Sequence, residues 1–442
     1  MGYGGRTIGP GGKPPVPPAL SAARWAWPVR LWKGDIVIGP DDAWGLIVAH
    51  SEALPLVARP TDDALWHFLA EPVSADRDVP PADRSAMDGF ALRAADLRDP
   101  PAVLPVVAEL AAGAAVEKGV PPGACVRIFT GANLPPGTDA VVMQEDTEPA
   151  DDRGRSVRVL KSVPPGANVF KQGENAHRGE TLLSAGTRLD AAGLALCAAV
   201  GRDVVRVHRR PSVGLLATGS ELLDAGDAAL PHQIRDSNTP FLRAALAEHR
   251  YPVSAFKRAA DNPDTIVNAL RVLTEQSDVV VLTGGVSVGR YDFVADAVRR
   301  AGATVRFHGV AMKPGKPQLF ASDPAGRLVF GLPGNPLSAM AGFYEFVLPA
   351  LARLAGCPSD RCRRHLTVRM AHDLAAKGDR RQYVPARLAW TPTGPEAAAV
   401  PVHGTADLVA GAQADGVLIV PEGTSNVPAG SFLAFRPWSP AP

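Results

Sequence analysis

At 442 residues the chain is several times the size of an ordinary domain, which excludes a single small core and predicts a division into several. Hydrophobic residues make up 46% and charged residues 21%, ordinary globular values, while 43 Gly and 43 Pro are many but too few for a collagenous chain. Lys and Arg number 46 against 45 Asp and Glu, so no global field recruits nucleic acid or anionic lipid, and an anionic ligand needs a local site.

The four cysteines, Cys125, Cys197, Cys357 and Cys362, are too few and scattered for a disulfide framework. Cys357 and Cys362 have no accompanying Cys or His pair at zinc-ligand spacing. The longest small-apolar stretch, Ala191 to Gly201, falls far short of the ~20 residues a membrane span needs. These features predict a cytoplasmic protein with no membrane association.

In chain order, 11 of the first 18 residues are Gly or Pro, and residues 1–34 are expected to form a flexible leader. Asp41 and Asp42 precede Ala43, Trp44, Leu46, Ile47 and Val48, the pattern of an acid-capped helix. From Pro80 to Pro165, short apolar runs such as Cys125–Phe129 and Ala140–Met143 alternate with turns and predict a β module. An Ala-rich helical stretch follows at Ala191–Ala199.

From Ser212 the pattern changes. Apolar runs at Val213–Ala217, Val279–Leu282 and Leu328–Phe330 alternate with helical patterns at Thr239–Ala247, Thr265–Glu275 and Phe293–Ala301, predicting an α/β domain with a mostly parallel sheet. From about Cys357, runs at Leu366–Met370, Tyr383–Trp390 and Val417–Val420 predict a small β domain of four or five strands.

Ligands of open parallel sheets sit beyond the carboxyl ends of the strands. The residues there are Thr218-Gly219-Ser220-Glu221, Thr283-Gly284-Gly285-Val286-Ser287-Val288-Gly289 with Asp292 just after, Met312-Lys313-Pro314-Gly315-Lys316-Pro317, and Leu332-Pro333-Gly334-Asn335-Pro336. Gly284 and Gly285 clear side chains where a phosphate would approach the backbone, and a helix start is expected near Tyr291; an ordinary tight turn is the alternative. Lys313 and Lys316 on a Pro-Gly-Pro frame suit an anion, although isolated lysines are more often solvated. Neither a P-loop nor a Gly-x-Gly-x-x-Gly fingerprint is present. If Glu221, Asp261 and Asp292 converge, each pair at ~4 Å repels by about 4 kcal/mol at an effective dielectric of 20, which a cation relieves; oxygen ligands near phosphate suggest Mg²⁺. Asp261 has a second reading as the cap of the helix starting at Pro263. In the β module, a plain turn is the commoner explanation for Asp88-Gly89, and Thr130-Gly131 reads equally as a simple loop.

Taken together, Asp83-Arg84-Ser85-Ala86-Met87-Asp88-Gly89, Arg127-Ile128-Phe129-Thr130-Gly131-Ala132, Val141-Val142-Met143-Gln144-Glu145, Thr218-Gly219-Ser220-Glu221-Leu222, the Thr283–Gly289 string, Lys313-Pro314-Gly315-Lys316-Pro317 and Gly331-Leu332-Pro333-Gly334-Asn335-Pro336 resemble the molybdopterin molybdenumtransferase family, MoeA in bacteria and the E domain of gephyrin in animals. The resemblance runs from about Ile36 to the C-terminus. It implies a multidomain α/β plus β fold: a discontinuous helical domain (35–79 and 172–209), an inserted β domain (80–171), a mostly parallel molybdopterin-binding α/β domain (210–355) and a C-terminal β domain (356–442). It also implies a homodimer with the site between the α/β domain of one subunit and the β domain of the other. The implied reaction inserts molybdate into adenylylated molybdopterin with Mg²⁺, releasing AMP. An upstream molybdopterin adenylyltransferase and recipient molybdoenzymes are the implied partners.

Carried over by motif, the functional positions are Asp88, Thr130, Glu221, Asp261, Asp292, Lys313, Lys316, Pro333 and Pro336, with Glu221, Asp261 and Asp292 as the metal cluster. Thr218, Gly284, Gly285, Ser287 and Asn335 join them as substrate-binding candidates from the strand ends. A gephyrin-like scaffold on the same fold is the alternative function. Asn175, where the family usually has Asp, and Trp66-His67, where Gly-Arg is usual, depart from the pattern.

Overall fold

The computed structural model describes residues 30–32, 35–115, 118–286, 293–376 and 378–439. Continuous apolar runs become strands buried on both faces: every residue of Val213–Thr218, Val279–Thr283 and Leu328–Leu332 is buried. They form the middle of a six-stranded sheet ordered Val253–Ala259, Val213–Thr218, Val279–Thr283, Leu328–Leu332, Leu319–Ser322, Thr304–His308. The first four are mutually parallel, and Leu319–Ser322 is antiparallel to both of its neighbours. Thr304–His308 therefore runs with the parallel set, and its carboxyl end opens on the same edge. One face of the sheet packs on the helices Asn238–Glu248 and Pro336–Leu354, and the other on Pro263–Gln276 and Val294–Arg300. The helix expected to start near Tyr291 begins at Val294; Ser287, Tyr291 and Asp292 lie outside the described residues.

The Pro336–Leu354 helix is the main element the sequence patterns did not predict. It has 19 residues and is apolar enough to span a membrane by composition, contrary to the expectation drawn from Ala191–Gly201, but 83% of its apolar window is buried inside the protein. It is a core helix, apolar all round because it is enclosed.

The inserted β module holds a six-stranded sheet in which Gly89–Leu92 lies between Cys125–Ile128 and Ala140–Met143. Around it, Leu56–Pro60 pairs with Val204–His208 and Val73–Ser74 with Thr181–Leu183, so the segments before and after the insertion close on each other. Their shared core includes Leu69, Val73, Leu189, Cys197 and Val205. The α-helices described in these two segments are Pro40–Ala49 and Ala191–Ala199, alongside a short 3-10 helix at Thr61–Asp63, short strands and turns. The Pro40–Ala49 helix buries Ala43 and Ile47 against the α/β core. Within the expected leader, Arg30–Trp32 forms a strand paired with Asp35–Val37.

The C-terminal strands Arg381–Thr391, Gly394–Ala399, Leu366–Met370, Phe432–Pro437 and Gly416–Val420 close into a five-stranded barrel through pairing of the first with the last. A sixth strand is borrowed: Met312–Lys313, from the α/β domain, pairs in parallel with Arg381–Gln382.

Candidate functional site

At the carboxyl edge of the sheet, close backbone approach is built in. Buried Thr218 ends its strand and donates its hydroxyl to the Thr283 carbonyl at 3.2 Å. Gly284 follows with φ +90°. A Cβ there would stand 2.3 Å from the Thr218 carbonyl oxygen and 2.8 Å from its hydroxyl. The Gly284 N–H donates to the Leu332 carbonyl at 3.2 Å, so three strand ends are tied together. Gly285 also has positive φ, +63°. These glycines make more than an ordinary turn, because only a residue without a side chain fits against Thr218.

The Leu332–Pro336 loop lies alongside. Pro333 is buried, and the Gly334 carbonyl accepts from Asn238 Nδ2 at 2.8 Å. Asn335 stands at the N-cap of the core helix and Pro336 at its first position, which suits a residue lacking an N–H. The Asn335 side chain does not cap the helix; its Nδ2 donates to Thr405 Oγ1 at 2.8 Å, and the Thr405 carbonyl accepts from Leu337 N at 3.1 Å. A loop of the C-terminal domain thus sits over the helix start.

Two carboxylates flank residues 219–220. The helix cap expected of Asp261 is made by Asn262, whose side-chain oxygen accepts from Asp264 N at 2.9 Å and Thr265 N at 3.4 Å. Asp261 is therefore free to face the neighbouring strand end, where its Oδ2 accepts from Ser220 N at 3.3 Å while its own N–H donates to Ser220 Oγ at 3.3 Å. The Glu221 carboxylate folds back over Gly219: a Cβ on that glycine would lie 2.9 Å and 3.0 Å from its two oxygens. Among the described residues no three Asp, Glu, His or Cys side chains gather as a metal site. The expected third acid, Asp292, and the candidate Ser287 lie outside the described residues.

The lysine segment is held by backbone bonds, Lys316 O accepting from both Val310 N at 2.8 Å and Gln318 N at 2.9 Å. Gly315 has φ +96°, and a Cβ on it would stand 3.3 Å from the carbonyl of Ser338 in the core helix. Arg380, from the barrel, donates to the Met312 carbonyl at 3.3 Å. Lys313 is exposed and Lys316 half-buried.

Asp88 and Thr130 form a second centre in the β module. Asp88 Oδ1 accepts both the N–H and the hydroxyl of Thr130, each at 2.7 Å. The backbone bond first, then the hydroxyl bond, hold the Asp88 carboxyl below its ordinary range. The Asp-Gly pair is not a turn: Gly89 enters the strand, where a Cβ would meet the Val142 carbonyl oxygen at 1.9 Å. Among the described residues of a single chain, no hydrogen bond or ion pair links this centre to the sheet edge.

Asn238, Thr405 and Arg380 were not among the sequence candidates. Their signals are weak in sequence because each reaches the edge by tertiary placement, two of them from the C-terminal domain. Of the departing positions, Asn175 donates its backbone N–H to Val79 O at 2.9 Å, a contact independent of side-chain identity. Trp66 has φ +65° with the Arg188 guanidinium 4.4 Å from its ring, and His67 is buried, its imidazole pushed down to about 4 chiefly by burial.

Three family models match in succession: the MoeA N-terminal region (domain I and II) over residues 38–201, a probable molybdopterin binding domain over 214–353, and the MoeA C-terminal region (domain IV) over 367–438. The molybdopterin molybdenumtransferase of Bacillus subtilis is 40% identical over 295 residues, 66% of this chain and 68% of the relative. That of a Nostoc species is 36% identical over 330 residues, covering 72% and 75%. The chain belongs to the molybdopterin molybdenumtransferase family. A solved molybdopterin biosynthesis MoeA protein from Pyrococcus horikoshii has the same architecture, with a TM-score of 0.76 at 26% identity over 90% of this chain and 99% of that one. Another crystal structure of a Pyrococcus horikoshii MoeA protein gives 0.74 at 29% identity, covering 92% and 100%. The probable molybdopterin-binding match spans the sheet whose carboxyl edge carries Thr218, Gly284 and the lysine segment.

Proposed function

We propose that this chain is a molybdenumtransferase of molybdenum cofactor biosynthesis that inserts molybdate into adenylylated molybdopterin and releases AMP. The observation that carries the proposal is the carboxyl edge itself. A backbone notch kept open by Gly284 and Gly285 lies against Thr218, two exposed carboxylates flank the residues that follow Thr218, and the two-lysine segment follows the edge strand Thr304–His308 on the same carboxyl edge of the sheet. The scaffold alternative is not favoured, since the relatives at 35–40% identity are named as transferases.

Thr218, Gly284, Gly285 and Ser287 are assigned to the phosphate-bearing end of the pterin, with Pro333, Asn335 and Pro336 forming the adjoining wall. Lys313 and Lys316 hold the molybdate oxyanion, each through charge-assisted bonds worth about 1.5–3 kcal/mol. Glu221 and Asp261, joined by Asp292, offer only oxygen donors, a set that fits a hard divalent cation such as Mg²⁺. Such an ion, when bound, supplies charge neutralisation at the phosphoanhydride. Asp261 and Ser220 brace each other, so the carboxylate is placed before substrate arrives. Asp88, kept ionised by Thr130, acts on the site of a second copy of the chain in a homodimer, a reading supported by the lack of any hydrogen bond or ion pair between the two centres among the described residues of one chain. Adenylylated molybdopterin comes from an upstream adenylyltransferase and the product passes to recipient molybdoenzymes in the cytoplasm.

The test supplies adenylylated molybdopterin with and without molybdate and measures AMP release together with activation of an apo-molybdoenzyme. Strong molybdate dependence of activation is expected, and Glu221→Ala should lose AMP release in a protein that still melts normally. Undiminished turnover in Glu221→Ala would remove that residue from the mechanism.

A further inference from the structure

The segment bearing Lys313 and Lys316 is gripped by two parts of the chain remote from it in sequence. Ahead of the first helix, Ile38 forms a parallel bridge with Val310, its N–H donating to Gly309 O at 3.3 Å and its carbonyl accepting from Ala311 N at 2.8 Å. From the barrel, Arg381 and Gln382 pair with Met312 and Lys313. A two-residue strand makes too few bonds to hold its own register.

Asp41 joins the two grips. It lies three residues after Ile38, and its carboxylate accepts from Arg381 through Nη1 at 3.0 Å and Nη2 at 2.7 Å, and from Arg363 Nη1 at 3.1 Å. Arg363 also pairs with Glu345, buried in the same core helix whose Ser338 lies beside Gly315. Bidentate arginine–carboxylate pairing fixes geometry as well as charge. The Arg381 hydrogen bonds lead in holding the Asp41 carboxyl down to about 2, so it remains ionised across any working pH.

We propose that Asp41 is a positioning residue for oxyanion binding: by fixing Arg381 it sets the register of the barrel strand against Met312–Lys313 and so the placement of Lys313. This rests on the assignment of Lys313 and Lys316 as the molybdate clamp. The ion pair is exposed on the Asp41 side, which is 67% accessible, so its loss does not open a core.

The experiment measures equilibrium binding of sodium molybdate to the full-length protein, and the KM for molybdate against kcat. The variants are Asp41→Asn, Asp41→Glu, Arg381→Met, Lys313→Met and Lys316→Met, with the double variant at 41 and 313. A charge-assisted bond to an oxyanion is worth about 1.5–3 kcal/mol, so Asp41→Asn, by loosening Lys313, is expected to weaken molybdate binding about tenfold or more and raise KM while leaving kcat near normal. Asp41→Glu should recover most of the affinity. The double variant should bind no worse than Lys313→Met alone, because Asp41 acts only through that lysine. Additive losses in the double variant would overturn the inference. So would wild-type affinity in Asp41→Asn and Arg381→Met while Lys313→Met is weakened, a result that leaves the clamp intact. Wild-type affinity in both Lys313→Met and Lys316→Met would instead overturn the clamp.

Discussion

Gly284→Ala tests whether the notch is built by backbone contact. A methyl at this position would stand 2.3 Å from the Thr218 carbonyl oxygen, about 1 Å inside ordinary contact, with φ at +90°. The left-handed conformation alone costs roughly 1–2 kcal/mol for a residue with a Cβ. The clash cannot be relieved by a rotamer change, because its partner is a main-chain oxygen in the middle of a parallel sheet whose strand pairs on both sides. The loop must therefore move by about 1 Å, and a shift of that size at a reacting centre is worth up to 10²-fold in rate. The assay is AMP release from adenylylated molybdopterin, alongside thermal melting to separate misplacement from unfolding. The expected result is a large loss of turnover with a lowered melting temperature, unrescued by Thr218→Ser. Wild-type turnover and melting in Gly284→Ala would refute the notch as the feature that admits the substrate.

Asp88→Ala and Glu221→Ala should each be inactive as homodimers, yet their mixture, after subunit exchange, should recover roughly a quarter of wild-type activity if each site takes one residue from each copy; absence of recovery in demonstrably mixed dimers counts against the two-chain site. Glu345 is 1% exposed and pairs with Arg363 and with Arg436, the latter at 3.2 Å, so Glu345→Gln should destabilise by about 3–5 kcal/mol, and a cycle with Arg436→Gln should show strong non-additivity in chemical denaturation. His67 is buried with its imidazole lowered to about 4, chiefly by burial and then by Arg210 and Arg59. The unfolded chain binds the proton more readily, so this group costs stability as pH falls through about 6.5 toward 4, at most about 1.4 kcal/mol per pH unit, and His67→Phe should flatten that part of the stability profile.

The strand ends were legible because parallel strands buried on both faces leave uninterrupted apolar runs, and the chemistry begins where each run stops. Val213–Thr218 and Val279–Thr283 differ from their expected spans by one residue each. The core helix Pro336–Leu354 was not legible, because a fully enclosed helix shows no polar face and hence no period. The role of Asp261 was ambiguous in sequence for a local reason. Asp and Asn stand side by side ahead of Pro263 and either can cap; the structure gives the cap to Asn262 and turns Asp261 toward Ser220. Thr405 and Arg380 left no signal because their relation to the edge exists only after the barrel docks.

That docking links stability to function. The barrel is anchored to the core helix through buried Glu345 and Arg436 and half-buried Arg363, and the same helix begins at Asn335-Pro336, beside the notch. Arg363 shares Asp41 with Arg381, whose strand carries the pairing with Met312–Lys313. The charges that hold two domains together are thus continuous, through one short strand, with the lysines assigned to the oxyanion. A barrel loosened by loss of Glu345 should for that reason lose molybdate affinity at temperatures where the α/β sheet is still folded, since the core on the sheet's other face, formed around Leu216, Val280, Leu282 and Val329, contains no barrel residue. Affinity that persists until the sheet itself melts would mean that the Val310–Lys316 backbone bonds suffice to place the lysines.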